Sequence, residues 1–323
     1  MATTIKDVAK EAGVGIGTVS RVINGGKSVN SETNQRVLNA IEKLHFVPNK
    51  MATKLRKDES RIIALLVPVI NHPFFAKLAY YVEDEADKCG YSVLIVSSQH
   101  KILKEDDILR RIRHREVDGA IFVTHFEHDE KNLRDCPLVS IDRLLGANIP
   151  YVTSDNYEST RKAVEYLIEK GCKKIGYVGS KPLTNSEVLK RETAYLDVMK
   201  EHGFAPRIKN DIILHGDEDK VVSGFLDEFK DVDGVFVSGY TMAQVFYEIA
   251  AQRNISIPDE LQLISYDGAF RQWNNNRLLT CVEQPIEEMA RKVVRLLIDK
   301  LDGKEVPIRT MMETNFVIGA TTK

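Results

Sequence analysis

The first 24 residues limit what this chain can fold into more than any other stretch. Ile5, Val8, Ala9 and Ala12 recur at helical spacing, and Thr4 stands where an N-cap belongs. Gly13 supplies a helix stop and a sharp turn. Beyond it, Thr18-Val19-Ser20-Arg21-Val22-Ile23 predicts a second short helix that turns Val19, Val22 and Ile23 inward. Two helices joined by a tight glycine-containing turn make a helix-turn-helix. The second helix would present Ile16, Gly17, Ser20 and Arg21 outward, where a DNA major groove would lie. A plain helical hairpin gives the same pattern, so the motif alone leaves both readings open.

The residues beyond Asn24 favour the DNA reading. Ser31 is expected to cap a third helix through Leu44, with Val37, Leu38, Ile41 and Leu44 as its apolar face. That helix could close a small core over the first two. Charge is also distributed unevenly. The whole chain of 323 residues carries a net −2, which by itself argues against nucleic acid. Residues 1–60, however, hold 10 Lys and Arg against 6 Asp and Glu, a net +4, and the remainder is −6. A basic head on an acidic body suits a DNA-reading module joined to a sensor.

The motif set Asp7-Val8-Ala9, Ala12-Gly13-Val14, Thr18-Val19-Ser20-Arg21-Val22-Ile23-Asn24 and Pro48-Asn49 resembles the LacI family of bacterial transcription regulators. The resemblance continues through the rest of the chain. It implies a DNA-contacting set of Ile16, Gly17, Thr18, Ser20, Arg21 and Asn24. It also implies that residues 48–60 form a hinge helix, which folds when two copies meet over the minor groove. There Leu55 matches the leucine that wedges into the central base step, and Lys54 adds to a basic run. On this reading residues 1–47 are the helix-turn-helix domain, 48–60 the hinge, and 61–323 the effector-binding and dimerisation domain.

From Arg61 the pattern becomes alternating strands and helices. Strands are expected at Ile62–Val67, Ser92–Ser97, Gly119–Val123 and Leu138–Ile141, with helices near Phe75–Cys89 and Glu105–Arg115. A second series comes after it. Its strands lie near Lys174–Val178, Ile212–Leu214, Gly234–Val237 and Leu261–Tyr266. Its helices lie near Ser159–Lys170, Ser186–His202, Val221–Phe229 and Thr241–Arg253. A last helix, Ile286–Leu301, and a strand, Thr310–Ile318, close the chain. Such alternation implies two doubly wound parallel sheets with ligand loops at the carboxyl ends of their strands. The fold class is therefore an all-α helix-turn-helix head plus an α/β two-lobed sensor of the periplasmic-binding-protein kind. The resemblance implies three crossings between the lobes, near Ser154–Asn156, Glu283–Pro285 and Thr314–Val317. Lobe 1 is then about 61–154 plus 286–314, and lobe 2 about 157–283 plus 317–323.

Polar residues at strand ends mark the cleft: Asp142-Arg143, Asp155-Asn156 and Asp267, with Arg191 on a helix and Phe74-Phe75 as a flat apolar face. Carboxylates accept from sugar hydroxyls and guanidinium groups donate in a fork. The resemblance implies effector contacts at Phe74, Arg191 and Asp267, to which Asp142 and Arg143 are added. Two positions depart from the family pattern. Gly239-Tyr240 replaces an Asn-Asp or Thr-Asp pair, and Glu218 follows Gly216-Asp217 where an aromatic often stands. Tyr240 or Trp273 could supply the stacking face instead.

No catalytic constellation, phosphate-binding glycine loop or metal-ligand spacing is seen, so neither an enzyme nor a cofactor is expected. Four scattered cysteines, no long apolar run and no apolar leader lead to the expectation of a cytoplasmic chain without membrane contact. The expected partners are a pseudo-palindromic operator, a sugar or sugar phosphate, and a second copy of the chain. No heptad segment comes after the last strand, so a homodimer and not a tetramer is expected. A regulator using a protein corepressor, or a sugar-binding protein with no DNA role, are the alternatives.

Overall fold

The computed structural model describes residues 3–23, 29–46, 59–124, 126–212, 216–268 and 279–323. The chain divides into two compact units, Met1–Ser60 and Arg61–Lys323.

In the first unit, helix α1 spans Ile5–Ala12, α2 Ile16–Ile23 and α3 Ser31–Lys43. Thr4 starts α1: its N–H and hydroxyl both donate to Asp7 Oδ2, at 2.8 and 2.7 Å. Gly13 ends α1 at φ 64°, the left-handed turn a glycine makes without a Cβ clash. The core is Val8, Ala9, Ala12, Val19, Val37 and Ala40. Two expectations need correction. The cap of α3 is Asn30, not Ser31: Asn30 Oδ1 accepts from the Thr33 N–H at 2.8 Å, and Ser31 is the first helical residue. Leu38 is 45% exposed. It lies about 100° around the helix from Val37, and Ala40 takes the inner place it was assigned.

The second unit contains two six-stranded sheets. Its first half runs β1 Ile62–Val67, α4 Pro73–Lys88, β2 Ser92–Ser97, α5 Ile102–Arg113, β3 Gly119–Phe122, α6 Glu130–Leu133, β4 Leu138–Ile141 and β5 Tyr151–Ser154. Its second half runs α7 Asn156–Glu169, β6 Ile175–Ser180, α8 Leu189–Glu201, β7 Arg207–Asp211, α9 Glu218–Glu228, β8 Gly234–Val237, α10 Tyr240–Gln252, β9 Gln262–Tyr266 and β10 Thr280–Glu283. Helix α11 Ile286–Leu301, β11 Arg309–Met312 and β12 Asn315–Val317 complete it. The strand orders are β2-β1-β3-β4-β5-β11 and β7-β6-β8-β9-β10-β12. All pairings are parallel except β12 with β10, where Cys281 faces Val317. The inner strands of each sheet are buried on both faces: in β1, Ile63, Leu65 and Val67 enter one cluster, and Ala64 and Leu66 another.

The expected doubly wound sheets are present, with local differences. The strand placed at Ile212–Leu214 is Arg207–Asp211. It forms a half-exposed edge, so its residues are mostly polar and carry little apolar signal. The single last strand is two strands in different sheets, which moves the chain from one lobe to the other within Glu313-Thr314. Strand β10 had no counterpart in the expected set. The helix expected from Ser186 starts at Leu189, because Asn185–Glu187 pairs with the other lobe instead.

Candidate functional site

Within the first unit, α2 turns Val19 fully inward and leaves Ile16, Gly17 and Arg21 exposed, with Thr18 and Ser20 half-buried. A Cβ built on Gly17 would lie 4.0 Å from Arg21 Nη2, so the guanidinium lies along the bare Gly17 backbone. Asn24, Lys54 and Leu55 lie outside the described residues, as does Trp273.

Within the second unit, the carboxyl ends of β1, β3, β4, β6, β8 and β9 surround a cavity of about 270 Å³. Phe74, Asp142, Arg143, Arg191 and Asp267 all line it, and so does Tyr240. Both aspartates follow a strand end and take left-handed backbone, φ 57° at Asp142 and 63° at Asp267, a conformation that Asp tolerates better than most residues. Phe74 is only 6% exposed and packs edge-on to Phe75, so the more accessible Phe75 offers more of the apolar face.

The polar floor is held by a chain of donors. Ser154 Oγ donates to Gln284 Oε1 at 2.8 Å, and Gln284 Nε2 donates to both oxygens of Asp267 at 3.0 Å. Because Ser154 gives its proton to Gln284, the Tyr266 hydroxyl donates to Ser154 across 2.9 Å. Ser154 ends β5 of one sheet, Tyr266 ends β9 of the other, and Gln284 stands on a crossing segment. Arg191 donates through Nε to Asn156 Oδ1 at 2.7 Å and through Nη1 to the Ser238 carbonyl at 3.0 Å. Its guanidinium carbon lies 3.4 Å from the Tyr266 ring centroid. Asp142 accepts from Thr153 Oγ1 at 2.6 Å.

A second strap joins the lobes beside the cavity. The Glu187 N–H donates to the Asp142 carbonyl at 3.1 Å, the Leu144 N–H to Asn185 at 3.3 Å, and Arg143 Nη1 to Ser186 Oγ. Glu187 accepts from Tyr151 at 3.0 Å and Arg309 at 3.2 Å.

Burial sets the electrostatics. It pushes Asp267 up to about 6, against the Arg191 charge and the Gln284 hydrogen bonds, which favour the carboxylate. It pushes Arg143 down to about 10, although the Asp142 charge opposes this. It also raises the Tyr266 hydroxyl to about 12. Carboxylates and guanidinium groups are thus held at the cavity by their own hydrogen-bond partners, and both can bind polar groups. The sequence reading missed Gln284, Ser154, Thr153 and Ser186. Their one local signal is position beside an expected crossing or strand end. Among the described residues no group of His, Cys, Asp and Glu could hold a metal ion, and no helix is long and apolar enough to cross a membrane.

Residues 4–49 match the model for bacterial regulatory proteins of the lacI family, and residues 164–322 match a periplasmic binding protein-like domain. A ribose operon repressor of Halalkalibacterium halodurans is 36% identical, over 99% of this chain and 97% of that protein. The chain belongs to the LacI family. A sucrose operon repressor of Streptococcus mutans is 35% identical over 95% of each chain. The lac repressor dimer bound to operator and an anti-inducer has the same fold, with a TM-score of 0.87 at 19% identity over 100% of this chain and 99% of that one. As a LacI-family protein the chain is a DNA-binding transcription regulator. The two relatives take their names from different sugars, one a pentose and one a disaccharide, so kinship alone does not name an effector.

Proposed function

We propose that this LacI-family regulator represses carbohydrate-utilisation genes and that a sugar or sugar phosphate held between the lobes releases it from DNA. The observation carrying this reading is the cavity that brings Asp142, Arg143 and Asp267, at strand ends from both sheets, together with Arg191 from helix α8. Carboxylates and guanidinium groups in one site suit vicinal hydroxyls, and the named sugars of its relatives agree with that chemistry. Phe75 and Tyr240 supply the apolar faces, so the stacking aromatic absent at Glu218 is replaced from other elements.

DNA reading is assigned to residues 1–47 and coupling to 48–60, with 61–323 as the sensor. Arg21 reads a base, and Ile16 contacts an apolar feature such as a thymine methyl. Gly17 adds no side-chain readout of its own and gives Arg21 room. Two copies bind a pseudo-palindrome, because one helix-turn-helix covers only a half-site.

The test is calorimetric titration of the full-length protein with D-ribose, D-fructose, D-glucose, sucrose and the monosaccharide phosphates, in parallel with release from operator DNA selected from random sequence. The reading expects one of these to bind and to release the DNA. Release or capture only in the presence of a phosphocarrier protein would favour a corepressor instead.

A further inference from the structure

A second buried polar cluster lies behind the cleft and reaches the cavity lining through Arg143. Glu105, in the first turn of α5, is fully buried, and the His128 ring is 1% exposed. Glu105 Oε2 accepts from His128 Nε2 at 2.5 Å and from the Thr124 hydroxyl at 2.5 Å. Thr124 Oγ1 also accepts from the Phe126 N–H at 3.0 Å. Thr124 stands two residues beyond β3, and its carbonyl accepts from Arg143 Nε at 2.7 Å. The other carboxylate oxygen of Glu105 is buried and has no hydrogen-bond partner.

The arrangement is costly for a merely structural contact. A buried carboxylate that spends both short bonds on one oxygen and leaves the other bare carries a desolvation penalty. An apolar side chain would fill the same place without it. Such groups persist where they hold something in position. Here the held element is Thr124, and through its carbonyl the Arg143 side chain. Arg143 needs such support. It is nearly fully buried, its Nε points into lobe 1 and its Nη1 to Ser186 of lobe 2, so its aim sets both the cavity wall and the strap between lobes.

We propose that Glu105 and His128 form a positioning pair for Arg143, anchoring Thr124 so that the guanidinium is held between the cavity and the opposite lobe. The effector consequence rests on the cleft reading above, whereas the orientation of Arg143 does not. Neither residue touches the ligand. Loss of the pair loosens Arg143 without removing any group from the cavity.

Full-length Thr124→Val, His128→Ala and His128→Gln variants test this. Thr124→Val cuts the hydroxyl link and leaves the carbonyl in place. His128→Gln retains a side-chain N–H donor. The direct readout is the Arg143 Nε–H signal in nitrogen-15 NMR, assigned by its loss in Arg143→Lys. In Thr124→Val and His128→Ala that signal should shift and exchange with solvent at least about tenfold faster, with His128→Gln restoring most of the protection. Affinity for the tightest binder among D-ribose, D-fructose, D-glucose and their phosphates should fall about tenfold, the scale of one hydrogen bond. An unmoved and still protected Arg143 signal in folded Thr124→Val would overturn the proposal. A moved signal with unchanged sugar affinity would support the positioning pair and remove Arg143 from the effector site.

Discussion

Lowering the pH should disable the cleft through Asp267 before it damages the fold. This carboxyl is mostly buried and sits near 6, against 3.8 for an ordinary aspartate. On the proposed reading a sugar hydroxyl donates to the ionised form, so affinity should follow the ionised fraction. At pH 7.5 that fraction is close to one; at pH 5 it is about a tenth, costing roughly 1.4 kcal/mol, or tenfold in affinity. The linkage to stability runs the other way. The folded state holds this proton more tightly than the unfolded chain does. Asp267 therefore contributes stability below pH 4 that is lost as pH rises through 6, amounting to about 3 kcal/mol at neutrality. Acid should thus weaken the ligand while this group favours the fold, which separates the effect from acid unfolding. His72 and His100 also line the cavity, so the difference between parent and Asp267→Asn carries the test. Calorimetric titration at pH 5.0, 6.0 and 7.5 should show the parent losing about tenfold relative to the variant, whose own affinity is low throughout. Parallel pH profiles, or a variant that binds like the parent, would refute the reasoning.

Two further outcomes concern the head and its pairing. Arg21→Ala should lose roughly 1–3 kcal/mol on the selected operator and relax specificity, whereas Lys54→Ala should weaken all sequences alike and lower the salt slope by about one; equal losses on operator and random DNA for Arg21→Ala would remove it from base reading. Sedimentation at micromolar concentration should give a dimer, and a tetramer would contradict the expected homodimer.

Much of the architecture was legible because its causes are local. Gly13, the Thr4–Asp7 cap and the spacing of Val8, Ala9, Ala12 and Val19 define the head within 20 residues. Buried parallel strands such as Ile62–Val67 are apolar runs that stand out from their neighbours. The strand at Arg207–Asp211 was not legible, because an edge position removes the need for apolar residues on both faces. Leu38 misled for the opposite reason: an apolar residue on the flank of a helix reads as core until the neighbouring Ala40 is counted.

In the cleft the division is similar. Asp142, Arg143 and Asp267 follow strand ends and could be picked from order alone. Gln284, Ser154 and Ser186 could not, because their roles depend on which segments cross between lobes and meet. The Ser154–Gln284 bond joins residues 130 apart in sequence. Glu105 and His128 are 23 apart, and nothing in their local spacing distinguishes them from surface charges.

The central claim is that the cleft and the DNA-reading head are two sites of one switch. The most direct measurement is the affinity for the binding sugar with and without saturating operator, set beside the affinity for operator with and without saturating sugar. Linkage requires the two ratios to be equal, and a typical coupling of about 1–3 kcal/mol makes each about 5–150-fold. The parent should give equal ratios within that range. In Arg191→Ala, operator affinity without sugar should be unchanged and the response lost. Sugar that binds the cleft with the same affinity whether or not operator is present would contradict the claim.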